Sequence, residues 1–352
     1  MRIAVLVALG LLLACPVACP APLATVSNPA WSGGGQIAFT PDGALLFINE
    51  EKRGAIDVLS VARWSRVGTL ESPNLEPRAF ACNGTSGRIV AFGLAAGGET
   101  QWATDLRAWD LPTNDRAYAF GEVGDAISAV ACGQRDIVAC GTFDGAVWLV
   151  DPAGTRPASR LAWENSVVDC ICFSPDDTLL AVVYRNERHS SNYAKVYRVS
   201  DGTAVGTVVS WAETGERLDD VQFTMGGEAI VVCSTSNVGV AVSVWSLADW
   251  RRAGTAEGPV REAHAIRYSA ALSVGGPFFA VAERFWRGDA VRDAALVWRM
   301  NGPAVVDEAV IELGETEGVS LALSPNGQYL VLRVGETLCV YATETLFSAG
   351  GG

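Results

Sequence analysis

Only two histidines, His189 and His264, occur in the 352 residues of this sequence. A serine or cysteine nucleophile needs a base within hydrogen-bond reach. Neither histidine lies beside a nucleophile-like motif, so triad chemistry lacks a part. No glycine-rich loop leads from a strand into a helix, which removes phosphate cradling of the P-loop kind. The nine cysteines include no CxxC pair and, with two histidines, form no zinc knuckle. Cys140 and Cys233 share a repeat position, and Cys170 and Cys172 share one face of a strand, so they read as small buried apolar side chains.

Two sets of connecting residues are left for function. The first mixes arginine with large rings on segments 94–104, 185–193 and 283–293: Trp102, Arg185, Arg188, Tyr193, Arg284, Phe285, Trp286 and Arg287. Such side chains on projecting loops are the usual materials of a protein-binding hot spot. The second set is acidic: Glu71, Glu76, Glu122, Asp125, Glu164, Glu213, Glu216, Glu257, Glu262, Glu315 and Glu317 recur along the chain. A ring of carboxylates attracts a cation or a basic tail, whereas an acidic protein also places solvated carboxylates on most of its loops. No DxDxDG calcium loop is present.

The elements that must position these residues repeat. IAFTPDGALL (Ile37–Leu46), CICFSPDDTLL (Cys170–Leu180), VQFTMGGEAI (Val221–Ile230) and LALSPNGQYL (Leu321–Leu330) are the clearest copies. Weaker ones lie at Ala79–Val90, Ser128–Val138 and Ala270–Phe279. Their anchors, Phe39, Phe80, Val130, Phe173, Phe223, Leu272 and Leu323, are about 41 to 51 residues apart. A period of that length with several short strands per unit marks a β-propeller. Alternating Val, Ile, Leu and Ala predicts strands a to d, at 36–40, 44–49, 55–60 and 65–70 in the first unit. Strand c ends on a ring at Trp109, Trp148, Tyr197, Trp245, Trp298 and Tyr341, placed to fill the space between blades. Segments 59–69 and 245–255 match one another, and Trp64 and Trp250 introduce strand d in both.

FSPDG-like turns and Val-Trp strand ends resemble those of the WD-repeat propellers and their looser bacterial relatives, over about residues 36–346. The resemblance implies an all-β, seven-bladed propeller of four-stranded antiparallel blades, with d–a and b–c connections on one face. Departures from the pattern mark a divergent subgroup: no blade carries the Gly-His pair, and only Asp144-Gly145 matches the b–c turn aspartate. Closure needs one more strand, from residues 345–347 or from 23–27, and joining the termini in one sheet removes an open edge.

Composition agrees with a single large core: 49% of residues are hydrophobic and 18% charged. The net charge of −13, with no Lys/Arg stripe, argues against nucleic acid and anionic membrane as partners. Residues 1–24 read as an export signal, with Arg2 before an apolar run at 3–14 that is short for a bilayer span. Leu12-Leu13-Ala14-Cys15 resembles a lipoprotein box, making Cys15 a candidate for lipidation; cleavage between Ala18 and Ala24 is the rival. The expected organisation is thus a leader over 1–24, one propeller over 25–347 and a frayed tail over 348–352. The expected role is an exported, monomeric scaffold at the periplasm or cell envelope that binds a protein or peptide without a cofactor. A propeller hydrolase or lactonase, metal-assisted at an acidic channel mouth, is the alternative from another class.

Overall fold

A computed structural model of the chain describes residues 21–31, 35–50, 54–71, 75–82, 88–95, 104–110, 115–120, 126–135, 137–151, 156–186, 191–209, 217–236, 239–257, 271–287, 290–301, 304–316 and 319–348. The strands assemble into four-stranded antiparallel sheets spanning 37–71, 75–120, 127–163, 167–209, 217–257 and 271–314, each in chain order a-b-c-d. A further sheet joins Val319–Leu323, Tyr329–Val334 and Thr337–Ala342 to Ala24–Ser27. Alternating apolar residues give each blade two faces, and the buried clusters bridge successive blades. Val231, Val242, Phe279 and Trp298 fill the fifth interface, and Trp31, Ile37, Leu46, Val331 and Val340 fill the one between last and first. The protein is therefore an all-β propeller of four-stranded blades.

The terminal alternatives resolve in favour of the N-terminal segment. Ala24 to Ser27 pair with Val340 to Thr337, and residues Thr345–Ser348 form a short helix, α1, instead of an outer strand. Helix α1 is held from the last blades: the Arg299 guanidinium lies 4.7 Å from the Phe347 ring centre, and Phe278 stacks on Phe347 at 5.6 Å.

The rings ending strand c are buried or half-buried, with Trp109, Tyr197, Trp298 and Tyr341 within the cores. A feature not readable from the pattern accompanies them. The c–d pairing shifts register at Val58/Leu59, Ala108/Trp109, Val147/Trp148, Val196/Tyr197 and Val244/Trp245. A bulge adds twist and re-aims the next side chain; four of these five steps carry a ring, and in the sixth blade the shift falls just after Trp298, at Arg299/Met300. Trp64 and Trp250 introduce strand d at φ values of 48° and 55°. That left-handed backbone is costly for a bulky residue and persists because each indole packs on the preceding blade. Trp64 meets Tyr329 edge-on at 5.3 Å, and Trp250 lies so flat on Gly206 that a Cβ there would overlap the indole.

Strands a of different blades share no ladder, so side chains satisfy their backbone groups. Ser128 donates to the Val168 carbonyl at 2.6 Å, and Gln222 accepts from Val274 N–H at 3.2 Å. Ser273 accepts from Leu323 N–H, and Ser320 donates to the Gly35 carbonyl, both at 2.9 Å. On the opposite face the a–b turns repeat one device. Thr40, Ser174 and Ser324 donate to Asp42, Asp176 and Asn326, whose oxygens accept the N–H of Ala44, Thr178 and Gln328. Where the other turns put Gly43, Gly227 and Gly327 at positive φ, the fourth blade has Asp177 at 58°. Its carboxylate accepts from Gln134 N–H at 2.8 Å and Arg135 N–H at 2.7 Å, in the third blade's turn. Those charge-assisted bonds offset the strain of the left-handed backbone.

Hydrogen bonds from Thr40 and Ala44 hold the Asp42 carboxyl below the usual aspartate range, and those from Ser174 and Thr178 do so for Asp176. A folded-state pKa below the unfolded one contributes stability that is full above about pH 4 and fades as pH falls through the folded value. Replacing both with Asn, the residue the last blade uses at 326, keeps the acceptor and removes the proton linkage. Melting temperature measured from pH 5 to pH 2.5 will fall less steeply for D42N/D176N than for wild type; parallel curves would refute the assignment.

Candidate interaction face

Direct bonds show that b–c and d–a connections share one face. Glu164 N–H, just after a strand d, donates to the Gly145 carbonyl in a b–c turn at 3.1 Å. Phe143 N–H in that turn donates to the Ala126 carbonyl of the preceding connection at 3.0 Å.

The arginine and aromatic set sits differently from the expected projecting loops. Strands b and c of the fourth blade run through Leu179–Asn186 and Ser191–Arg198, so Arg185 and Tyr193 are strand residues, opposite Asn192 and Tyr184. In the sixth blade Phe278–Arg287 pairs with Ala290–Asn301 up to Arg287 opposite Ala290, so Arg284, Phe285, Trp286 and Arg287 also lie within a ladder. Extending the hairpin satisfies backbone groups that a long loop would leave to solvent. Trp102 and Arg188 lie outside the described residues, and Phe285, Trp286 and Arg287 are placed by backbone alone.

Arg185 and Arg284 are engaged by the protein itself. Arg185 Nε donates to both oxygens of Asp169, at 3.0 and 2.8 Å, where strand a bulges between Val168 and Cys170. Arg284 makes a fork to Asp293, at 2.7 and 2.9 Å, and donates to the Thr316 carbonyl at 2.7 Å. Thr316 Oγ1 donates to the same carboxylate. Asp293 is 2% exposed, and a carboxylate that deep requires its charge partner.

Tyr193 belongs to a half-buried polar cluster between the third and fourth blades. Its ring stacks on Tyr184 at 5.3 Å, and Tyr184 and Tyr197 share a hydroxyl bond of 3.1 Å. Glu164 accepts from Lys195 at 2.5 Å, Tyr197 at 3.3 Å and Tyr193 at 3.4 Å. Burial above all pushes the Tyr184, Tyr193 and Tyr197 phenols up, with the Glu164 charge adding to it, so they remain donors. One member of the expected acidic ring is charge-paired with Lys195 in place. Asp125, Glu122, Glu213, Glu216, Glu262 and Glu317 lie outside the described residues, and Glu76 is placed by backbone alone, while Glu71, Glu257 and Glu315 are exposed. Among the described residues no three His, Cys, Asp or Glu groups are arranged to hold a metal. Burial pushes the Cys140 thiol up to about 12 and Cys172 to about 11; burial also raises Cys170, and the Asp220 carboxylate it touches at 2.9 Å raises it further. These thiols are protonated at neutral pH, consistent with packing duty.

What the face does present was absent from the sequence-based set. Phe143 and Trp163 are 37% and 53% exposed beside the third blade's short b–c turn. Thr142 donates to Asp144 at 2.5 Å, and Asp144 Oδ1 accepts Ala146 N–H at 3.1 Å, closing the turn on itself. Gly145, at φ 90°, lets the Glu164 backbone approach so closely that a Cβ would collide with its carbonyl oxygen. Trp163 pairs with Ala146 at the end of Ser159–Trp163, so both rings stand on a pinned backbone. The Asp144-Gly145 dipeptide was the available signal.

Arg284→Ala will leave the buried Asp293 carboxylate without its charge partner and cost about 3–5 kcal/mol, read as a lower midpoint in urea unfolding. An unchanged midpoint would show that Arg284 is not part of the frame.

No protein-family model matches the chain, and no curated protein matches it. Solved structures do resemble it. A chain of Kuenenia stuttgartiensis hydrazine synthase superposes with a TM-score of 0.66 at 15% identity, covering 90% of this chain and 97% of that one. A chain from a mitotic checkpoint complex gives 0.67 at 10% identity, covering 92% and 95%. At these identities the likeness is one of fold: this chain is similar to both as a β-propeller.

Proposed function

We propose that this chain is an exported, WD-repeat-like propeller of seven blades that holds a protein or peptide partner on its b–c and d–a face. Support for the blade number comes from the sheets, which follow one another in chain order, with a shared core between the last and the first. The single observation carrying the binding reading is the pair of exposed rings, Phe143 and Trp163, on a backbone pinned by Asp144 and Gly145. Large rings held rigidly in water gain from being covered and lose little entropy when they are. A propeller chain within a mitotic checkpoint complex adds support, since that neighbour stands in a protein assembly. The net charge of −13 favours a partner with basic groups. Arg185, Tyr193 and Arg284 then serve as the frame of the surface, and Trp102, Arg188, Phe285, Trp286 and Arg287 are proposed as further partner contacts.

Affinity capture from a native envelope fraction tests this reading with wild type and Trp163→Ser. A hot-spot tryptophan contributes about 2 kcal/mol, so capture will weaken roughly thirtyfold while the melting temperature stays within the range of surface substitutions. Equal capture by Trp163→Ser and Phe143→Ser would remove the support for this face.

Export follows from Arg2, the apolar run at 3–14 and Cys15. With acyl chains on Cys15 as the anchor, Cys15→Ala will move the protein from the membrane to the soluble fraction. Wild type found wholly in the soluble fraction would exclude lipidation.

A further inference from the structure

We propose that residues 23–31 are an exchangeable closing segment that completes the last blade of a second copy and so links two copies of this chain. The last blade has three strands of its own and borrows the fourth, Ala24–Ser27, across a separation of 310 residues between Ser27 and Thr337. The segment's ties run to the body of the ring. Leu23 N–H donates to the Val340 carbonyl at 2.7 Å, Asn28 N–H to the Glu336 carbonyl at 3.0 Å, and Ser27 and Thr337 share a hydroxyl bond at 3.0 Å. Trp31, 1% exposed, donates its indole N–H to Asp57 at 3.0 Å, and Asn28 Nδ2 reaches the same oxygen at 3.3 Å.

The receiving site is thus specific: a strand edge for an extended chain, followed by an indole socket ending on a buried carboxylate. An identical segment from a second copy makes the same bonds, so exchange sacrifices no contact. The donated strand has four residues with alternate ones exposed, and Leu23 before it is 62% exposed. Local elements near a chain end open at less than the full cost of global unfolding. Once open, the Thr337–Ala342 edge is unpaired, and such edges recruit strands.

The register supplies the test. Thr25 stands opposite native Cys339, and because Asn28 bonds to Glu336, it is a position where the two residues do not exchange backbone hydrogen bonds. Such pairs bring Cα atoms to about 4.5 Å, within disulfide range. The single variant Thr25→Cys, oxidised at low concentration, will form the bond within one chain. A tagged T25C/C339S chain mixed at high concentration with differently tagged wild type, then oxidised, will form a bond between position 25 of one and Cys339 of the other. Peptide mapping identifies it. Its yield will rise with concentration and drop by more than about a hundredfold when Trp31→Ala, which removes a buried indole, is added to the donor. Closure within the single variant but no bond between chains at any concentration would overturn the proposal. Failure of the single variant to close would overturn it too, by removing the register on which it stands.

Discussion

The pairing of Ala24–Ser27 with Thr337–Ala342 is the constraint on which the rest of the molecule depends. Without it the ring has two free ends, and Trp31, the last blade's Leu338 and Val340, and the first blade's Ile37 and Leu46 lose their common core. The seam carries buried polar groups as well. Asp57 is fully buried and accepts from Trp31, Asn28, Thr69 and Arg66. Arg333, 1% exposed, donates to the carbonyls of Gly35 and Asn49 at 3.1 and 2.8 Å. A buried charge without such partners costs several kcal/mol, so the seam tolerates one arrangement of its chain ends. Gly35 is part of that geometry, since a Cβ there would lie 2.5 Å from the Asn49 carbonyl oxygen.

A ring of separate sheets must satisfy the innermost strands without a ladder between blades. The serines and glutamine bridging successive strands a do this, and the a–b turns interlock on the opposite face, Asp177 reaching into the third blade's turn. Blade order is thereby reinforced by polar bonds at both the inner strands and the turns, while the rings of strand c and the indoles before strand d fill the outer space. Bulges at three of the Val-aromatic steps add local twist where the rings leave the strand.

The same demand for satisfied polar groups shapes the candidate interaction face. Arginines that looked free for a partner hold carboxylates at strand ends, because extending the hairpins brought Asp169 and Asp293 beside them. Glu164 is occupied by Lys195 and two tyrosines. Exposed rings stand instead, among the described residues, at a short, constrained turn, where Asp144 and Gly145 hold the backbone beside Phe143 and Trp163. A surface held this rigidly meets a partner with little ordering left to do.

Local pattern by itself determined the blade: alternating apolar residues, Ser/Thr-Pro-Asp/Asn turns, a ring ending strand c and a tryptophan before strand d are properties of neighbouring residues. Each reappears in the structure, Trp64 and Trp250 included. Which terminus closes the ring was open in the sequence, since both 23–27 and 345–347 suit a short strand; packing of Phe347 on Phe278 and of Trp31 on Asp57 decided it. The interaction face was legible only as composition. Arginine type and loop length are local, whereas an arginine's freedom depends on which carboxylate the fold brings within hydrogen-bond reach, as Asp293 is for Arg284. That distance is set by strand register across a hairpin and by bulges in the neighbouring strand, quantities that exist only once the blades have packed.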